Sequence, residues 1–302
     1  MRLRDKVLLV WLAALILAVP AVAPALEIPK IVSADWLEKN ANAPDLRIVD
    51  IRSGDAYKAG HVPNAFHQPY GTWAVTRDKM DNQVPDDEVL SAILEGAGIG
   101  KDTPVVVVGS VDNVAEQVNR TRVAWTLKYA GVGQVGVLDG GSNKWAADRK
   151  PQSTEPGKAG AAKGKLAYNK GILVSKADVL SKIGKAVIVD TRTPDFFFGA
   201  SKLPFVARAG RIPHSVSLPS AWLFTKEGAF RPMADLEGMA EGVVGKDKDA
   251  EIIVYCDTGR LASGWWFVLS EVLGYKNVKM YDGSSQEWAG DPNAPMVKYN
   301  WK

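Results

Sequence analysis

The chain has 302 residues, 46% hydrophobic and 24% charged, with a formal net charge of +3 and a single cysteine. That length suits two domains of roughly 100–200 residues each. The small charge excludes a polybasic nucleic-acid surface, and one thiol excludes any internal disulfide.

Residues 1–25 read as a secretory signal peptide. MRLRDK supplies Arg2, Arg4 and Lys6, VLLVWLAALILAV an uncharged apolar core, and Ala23-Pro24-Ala25 a small-x-small cleavage site before Leu26. A retained membrane anchor is the competing reading, but Pro20 and Pro24 interrupt the run, and a spanning helix wants roughly 20 unbroken apolar residues. Cleavage after Ala25 removes Arg2, Arg4, Lys6 and Asp5 and takes the net charge from +3 to +1. No cysteine lies near the cut, which excludes a lipid-modified cysteine anchor. The expectation is a periplasmic or secreted protein with no membrane attachment after cleavage.

Past the leader, short Val/Ile runs alternate with helix-like stretches. SADWLEKN (33–40) reads as a helix, then RIVD and VVVV as buried strands. RKPQSTEPGKAGAAKGK (149–165) is empty of large apolar residues and reads as a linker. SKADVLSKIG (175–184) and SGWWFVLSEVLG (263–274) read as further helices, the latter closed by Gly274. Continuous apolar strands alternating with helices predict a parallel α/β sheet covered on both faces.

The pattern occurs twice. RIVDIR (47–52) matches VIVDTR (187–192), and AGHVPNA (59–65) matches AGRIPHS (209–215). VVVVG (105–109) matches IIVYC (252–256), and VLDGGSNKW (137–145) matches KMYDGSSQEW (279–288). The order is the same in both halves. The expected organisation is a first domain over 26–150, a linker over 151–166 and a second domain over 167–302.

The cysteine, Cys256, ends the strand IIVY, where ligands gather in open parallel sheets. The loop DTGRLA turns the chain into a helix and would place backbone N–H groups around the sulfur. Such dipoles favour a negative charge and predict a thiol pKa below its usual value. Gly259 lets the loop bend, and Arg260 adds a positive charge. The first copy has Gly109 in place of Cys256, followed by the longer-looking GSVDNVAEQVNR, so it cannot perform thiol chemistry. Its expected job is to shape one wall of a cleft.

The ordered elements VDTR, GRIPHSVSLP, YCDTGRLAS and YDGSSQEW resemble the tandem-domain rhodaneses, sulfurtransferases with an inactive first copy and an active second one. The resemblance covers roughly residues 27–300. It implies two rhodanese-like domains, each a parallel sheet flanked by helices, and a nucleophile, Cys256, that carries a sulfane sulfur as a persulfide. Asp257, Thr258, Gly259, Arg260 and Leu261 would cradle it. Small-molecule sulfur donors, thiosulfate first, and thiophilic acceptors such as cyanide or a thiol are the implied partners. A thiol protein is an alternative acceptor, and a non-catalytic binding module is the alternative of a different class. No cofactor, metal or nucleic acid is implied, and a monomer is expected.

CDTGRL departs from the CRKGVT-like loops of vertebrate thiosulfate enzymes and the CGSGVT-like loops of mercaptopyruvate enzymes, because Asp257 opposes Arg260. Phe196, Phe197 and Phe198 stand where those groups usually carry an arginine, which weighs against mercaptopyruvate. Phosphatases of similar fold need an arginine at position 262, which is Ala262 here. Asp190 and Arg192 read mainly as a brace between loop and sheet, His214 as a turn residue, and Trp265 and Trp266 as core or cleft wall. Asp282 and Gly283, which recur as Asp139 and Gly140, read as a turn shared by both copies.

Overall fold

A computed structural model describes residues 26–301, so the leader lies outside the described residues. The first copy runs β1 (Ile31–Val32), α1 (Ala34–Asn40), β2 (Arg47–Asp50), α2 (Gly54–Ala59), β3 (Phe66–His67), β4 (Val75–Arg77), β5 (Met80–Gln83), α3 (Asp87–Gly96), β6 (Val105–Val108), α4 (Val114–Tyr129), β7 (Val135–Leu138) and α5 (Gly141–Ala147). The second runs β8 (Leu173–Val174), α6 (Lys176–Lys182), β9 (Val187–Asp190), α7 (Pro194–Phe198), β10 (Val216–Ser217), α8 (Met233–Val244), β11 (Ile252–Tyr255), α9 (Ala262–Phe267), β12 (Val278–Tyr281) and α10 (Ser284–Gly290).

Serines set several helix starts. Ser33, Ser53 and Ser175 each accept a backbone N–H in the first turn, and Ser175 forms a full capping box with Asp178. The predicted helix over 263–274 begins as α9 but passes into a π-helical turn at 268–272 before Gly274 ends it with φ 74.

Strand order is β1-β7-β6-β2-β3 in one sheet and β8-β12-β11-β9-β10 in the other, all parallel. Each strand of one sheet occupies the place of its repeat partner in the other. The central strands β2, β6, β7 and β11 are buried along their whole length, because helices cover both faces. The antiparallel pair β4–β5 belongs to the first copy alone.

The segment expected to act as a linker is docked along the first copy. Ser153 and His61 exchange backbone hydrogen bonds, Gly157 N donates to Ala65 O, and Arg47 Nη1 donates to Lys158 O. Asp102 N and Lys101 N donate to Lys163 O and Gly164 O. The small residues allow close approach, not flexibility: a Cβ on Gly157 would lie 2.3 Å from Ala65 O.

The two copies share one apolar core. Val118, Val123 and Trp125 of α4 join Leu223, Trp265 and Val268 of the second copy in a single buried cluster. At the crossing of α4 and α9, the Thr121 and Ser263 hydroxyls meet at 3.0 Å. Polar ties are reciprocal: Asp282 accepts Val84 N across the interface, and Asp139 accepts Phe230 N in return. Asp282 is therefore more than the shared turn expected of it. It pairs with Arg122 of α4, whose side chain is fully buried and also donates to Asn82 O. Burial alone would depress the Arg122 guanidinium, but Asp282 outweighs it and holds the group above its ordinary value. Removing one partner from a buried pair leaves the other charge uncompensated. Arg122→Ala is expected to lower stability by about 3–5 kcal/mol in urea unfolding, and a loss below about 1 kcal/mol would contradict the role given to the pair.

Candidate active site

Cys256 follows the last residue of β11 and is 1% exposed. Its Sγ accepts Thr258 N at 3.4 Å, and the N–H groups of Leu261 and Ala262 also favour its charge. The loop 256–261 holds this shape through contacts on every side. Gly259 has φ 74, and a Cβ there would lie 2.3 Å from Asp282 Oδ1 and 2.9 Å from Arg122 Nη1. The inter-copy ion pair packs directly against the loop, and only glycine fits.

Below the loop, Ser284 Oγ accepts Cys256 N at 3.2 Å and Gly259 N at 3.0 Å. Ser284 adopts φ 50, a left-handed conformation unfavourable for a side chain, while its first-copy counterpart Gly141 has φ 56. The strained serine places its hydroxyl beneath the thiol loop. Beside the loop, Arg192 binds Asp190 through Nε and Nη2, reaches Gly210 O at 2.8 Å and approaches Asp257 Oδ1 at 3.4 Å. Asp190 Oδ2 also accepts the Tyr255 hydroxyl. Arg192 thus ties strand end, neighbouring turn and loop together without lining the cavity. His214 sits in a turn with φ 60, as Asn64 does with φ 63. Trp265 and Trp266 are buried and donate to Pro219 O and Val278 O, which makes them core.

The sulfur faces a cavity of about 450 Å³ between the copies. Cys256, Asp257, Thr258, Arg260 and Leu261 line one side, with Leu203 and Phe205, while the first copy contributes Ala74, Thr76, Asp81, Asn82 and Ala115. Gly259 packs inward and does not line it. Two first-copy groups hold the loop directly: Asn82 Nδ2 donates to Thr258 Oγ1 at 3.0 Å, and Asn119 Oδ1 accepts Arg260 Nε at 2.8 Å.

The electrostatics correct one expectation. Burial pushes the Cys256 thiol above its ordinary value, Asp257 adds to the rise, and the N–H groups of Thr258, Ala262 and Leu261 only partly oppose it. The loop does not make the resting thiol acidic, because its desolvation outweighs the dipoles. Asp257 itself is pushed up to about 6, chiefly by burial, with Arg192 pulling it down and Asp190 pushing it up.

A larger cavity, about 660 Å³, lies at the matching place in the first copy, around Gly109, Arg52 and Tyr70. It holds no thiol. A Cβ on Gly109 would come within 3.0 Å of Ile51 and 3.1 Å of Arg120. The first-copy loop, expected to be longer, is shorter: Asn113 caps α4 by accepting Glu116 N, so the helix starts at Val114. Among the described residues, no group of three His, Cys, Asp or Glu side chains could hold a metal ion.

Sequence reasoning missed Ser284, Asn82, Asn119 and the loop contact of Asp282. Ser284 carried a signal, since it replaces Gly141 in the repeat much as Cys256 replaces Gly109. Asn82 and Asn119 carried none, because their roles depend on how the copies dock.

Comparison with known proteins agrees with this geometry. Residues 33–148 and 175–291 each match the rhodanese-like domain family. A Saccharopolyspora erythraea protein provisionally named a thiosulfate sulfurtransferase is 31% identical over 274 residues, covering 88% of this chain and 95% of its own. The sulfur carrier protein TtuD of Thermus thermophilus is 31% identical over 284 residues, covering 89% and 96%. Among solved structures, YnjE superposes with a TM-score of 0.75 at 24% identity, covering 89% of this chain and 68% of that one. The anaerobic ergothioneine biosynthesis enzyme of Chlorobium limicola gives 0.77 at 22%, covering 89% and 70%, and both likenesses speak to the fold alone. With the domain matched twice and relatives of this identity along nearly their full length, the chain belongs to the rhodanese family as a tandem of two rhodanese-like domains.

Proposed function

We propose that the protein moves a sulfane sulfur from thiosulfate, through a persulfide on Cys256, to a thiophilic acceptor. The observation that carries this reading is the lone thiol in the inter-copy cavity, with the amides of Thr258, Leu261 and Ala262 directed at it and Arg260 lining the same cavity. The names of the relatives support the donor and the reaction class.

Once the Cys256 proton has left to solvent, the thiolate attacks the outer sulfur of thiosulfate. A new S–S bond forms, the donor's S–S bond breaks, and sulfite leaves with the bonding electrons. The outer sulfur now carries the negative charge, and the N–H groups of Thr258, Leu261 and Ala262, which already favour charge on the cysteine sulfur, are the donors closest at hand for it. Cyanide or a thiolate then attacks that sulfur, the cysteine–sulfur bond breaks, and the Cys256 thiolate returns. A raised resting thiol pKa fits this order. The buried thiol stays protonated and guarded until a donor docks, and the loop's donors serve the charged intermediate.

The Thermus relative named a sulfur carrier favours a second reading of the acceptor, a thiol on another protein. It changes the last step only. We also infer a place outside the cytoplasm from the leader-like sequence of residues 1–25. Identifying the mature N-terminus after expression with the leader tests that placement.

Incubation with thiosulfate is expected to add the mass of one sulfur atom to the intact protein, with cyanide removing it, and Cys256→Ser abolishing both. An adduct that survives in Cys256→Ser would overturn the assignment. Burial is the main cause that holds the thiol up, and the Asp257 carboxylate, ionised above about pH 6, adds to it. Asp257→Asn is therefore expected to move the pH midpoint of Cys256 alkylation by iodoacetamide downward. A midpoint that stays or rises would contradict that electrostatic role.

A further inference from the structure

Among the described residues, Arg260 is the one cation lining the cavity that holds Cys256, and it sits in no ion pair with them. Its Nε donates to Asn119 Oδ1 at 2.8 Å, and its guanidinium lies over the Tyr70 ring at 5.1 Å. Both anchors belong to the first copy. Neither terminal nitrogen has a protein partner among the described residues. The nearby acids are engaged elsewhere: Asp257 faces Arg192, and Asp81 accepts the Thr76 hydroxyl.

The anchors are themselves rigid. Asn119 rides on α4, which packs against α9 and so against the helix that the catalytic loop feeds. Tyr70 donates its hydroxyl to Asn82, which in turn donates to Thr258 of the loop. A flexible arginine is thus fixed at its Nε and across its face while its outer edge stays open. That is the form of a fork for an oxyanion, since two parallel N–H donors match a carboxylate, sulfonate or phosphate edge.

We propose that Asn119, assisted by Tyr70, is a specificity-determining positioning residue: the catalytically silent copy holds Arg260 as an oxyanion fork that selects donors with an anionic sulfonate-type end. The proposal rests on the sulfur-transfer reading for its donor. Fixing the side chain in advance spares its ordering on binding, worth roughly three- to tenfold in affinity. A guanidinium released from Asn119 keeps its charge but loses its place.

The test compares wild type with Asn119→Leu. With thiosulfate, KM is expected to rise roughly three- to tenfold while kcat changes by less than about twofold. With a neutral organic trisulfide as donor, KM is expected to stay put, whereas a general disturbance of the loop would raise it for both donors. Thiosulfate binding by calorimetry is measured in parallel on Cys256→Ser and on Cys256→Ser with Asn119→Leu, which needs no turnover. Weaker binding in the double variant supports the fork even if wild type transfers no sulfur, in which case the function reading fails alone. Equal binding, no binding of thiosulfate to Cys256→Ser, or equal KM changes for both donors would overturn the proposal.

Discussion

A buried sulfur atom that carries negative charge needs hydrogen-bond donors that do not move when the charge arrives. Here those donors are the main-chain amides of a six-residue loop, and everything around the loop restricts it. Gly259 is pressed against Asp282 and Arg122, Ser284 holds two of the amides from beneath, and Arg192 ties the loop's acid to the strand end. The amides of 256 and 259 are occupied by Ser284, which leaves those of 258, 261 and 262 turned toward the sulfur. Preorganised dipoles of this kind stabilise developing charge without reorganisation.

The same restriction explains why a copy without a nucleophile remains part of the molecule. Arg122 reaches from α4 of the first copy to Asp282 of the second, and the pair packs against the back of the Cys256 loop. Asn82 holds Thr258, and Asn119 holds Arg260. The second copy has the thiol, but the first supplies five of the twelve residues lining the cavity and several of the loop's outer contacts. Neither copy on its own would present the sulfur in this setting.

Much of the fold was legible in the chain. The repeat of RIVDIR as VIVDTR and of VVVVG as IIVYC specified two α/β units of like topology, and the two sheets have matching strand orders. The turn from Cys256 to Leu261 was legible as well, because the apolar run IIVY reads as a buried strand and the helix-like stretch follows it directly. What could not be read were quantities that depend on docking. Arg122 and Asn119 look like ordinary helix residues until α4 meets α9. The thiol's direction was misjudged for a related reason: the dipoles of a loop can be read from its sequence, but the depth of its burial cannot. Residues 151–166 do connect the two copies, but composition did not show that they dock along the first one, since glycine and alanine serve close backbone contact as well as flexibility.

The central claim, that the loop's amides are aimed at the outer sulfur of a persulfide, is tested most directly by a crystal structure of the protein after treatment with thiosulfate. The account predicts added density on Cys256 Sγ, directed into the inter-copy cavity and within hydrogen-bond reach of the N–H groups of Leu261 and Ala262. An outer sulfur pointing away from the loop, or packed among the aliphatic side chains beneath it, would contradict the account.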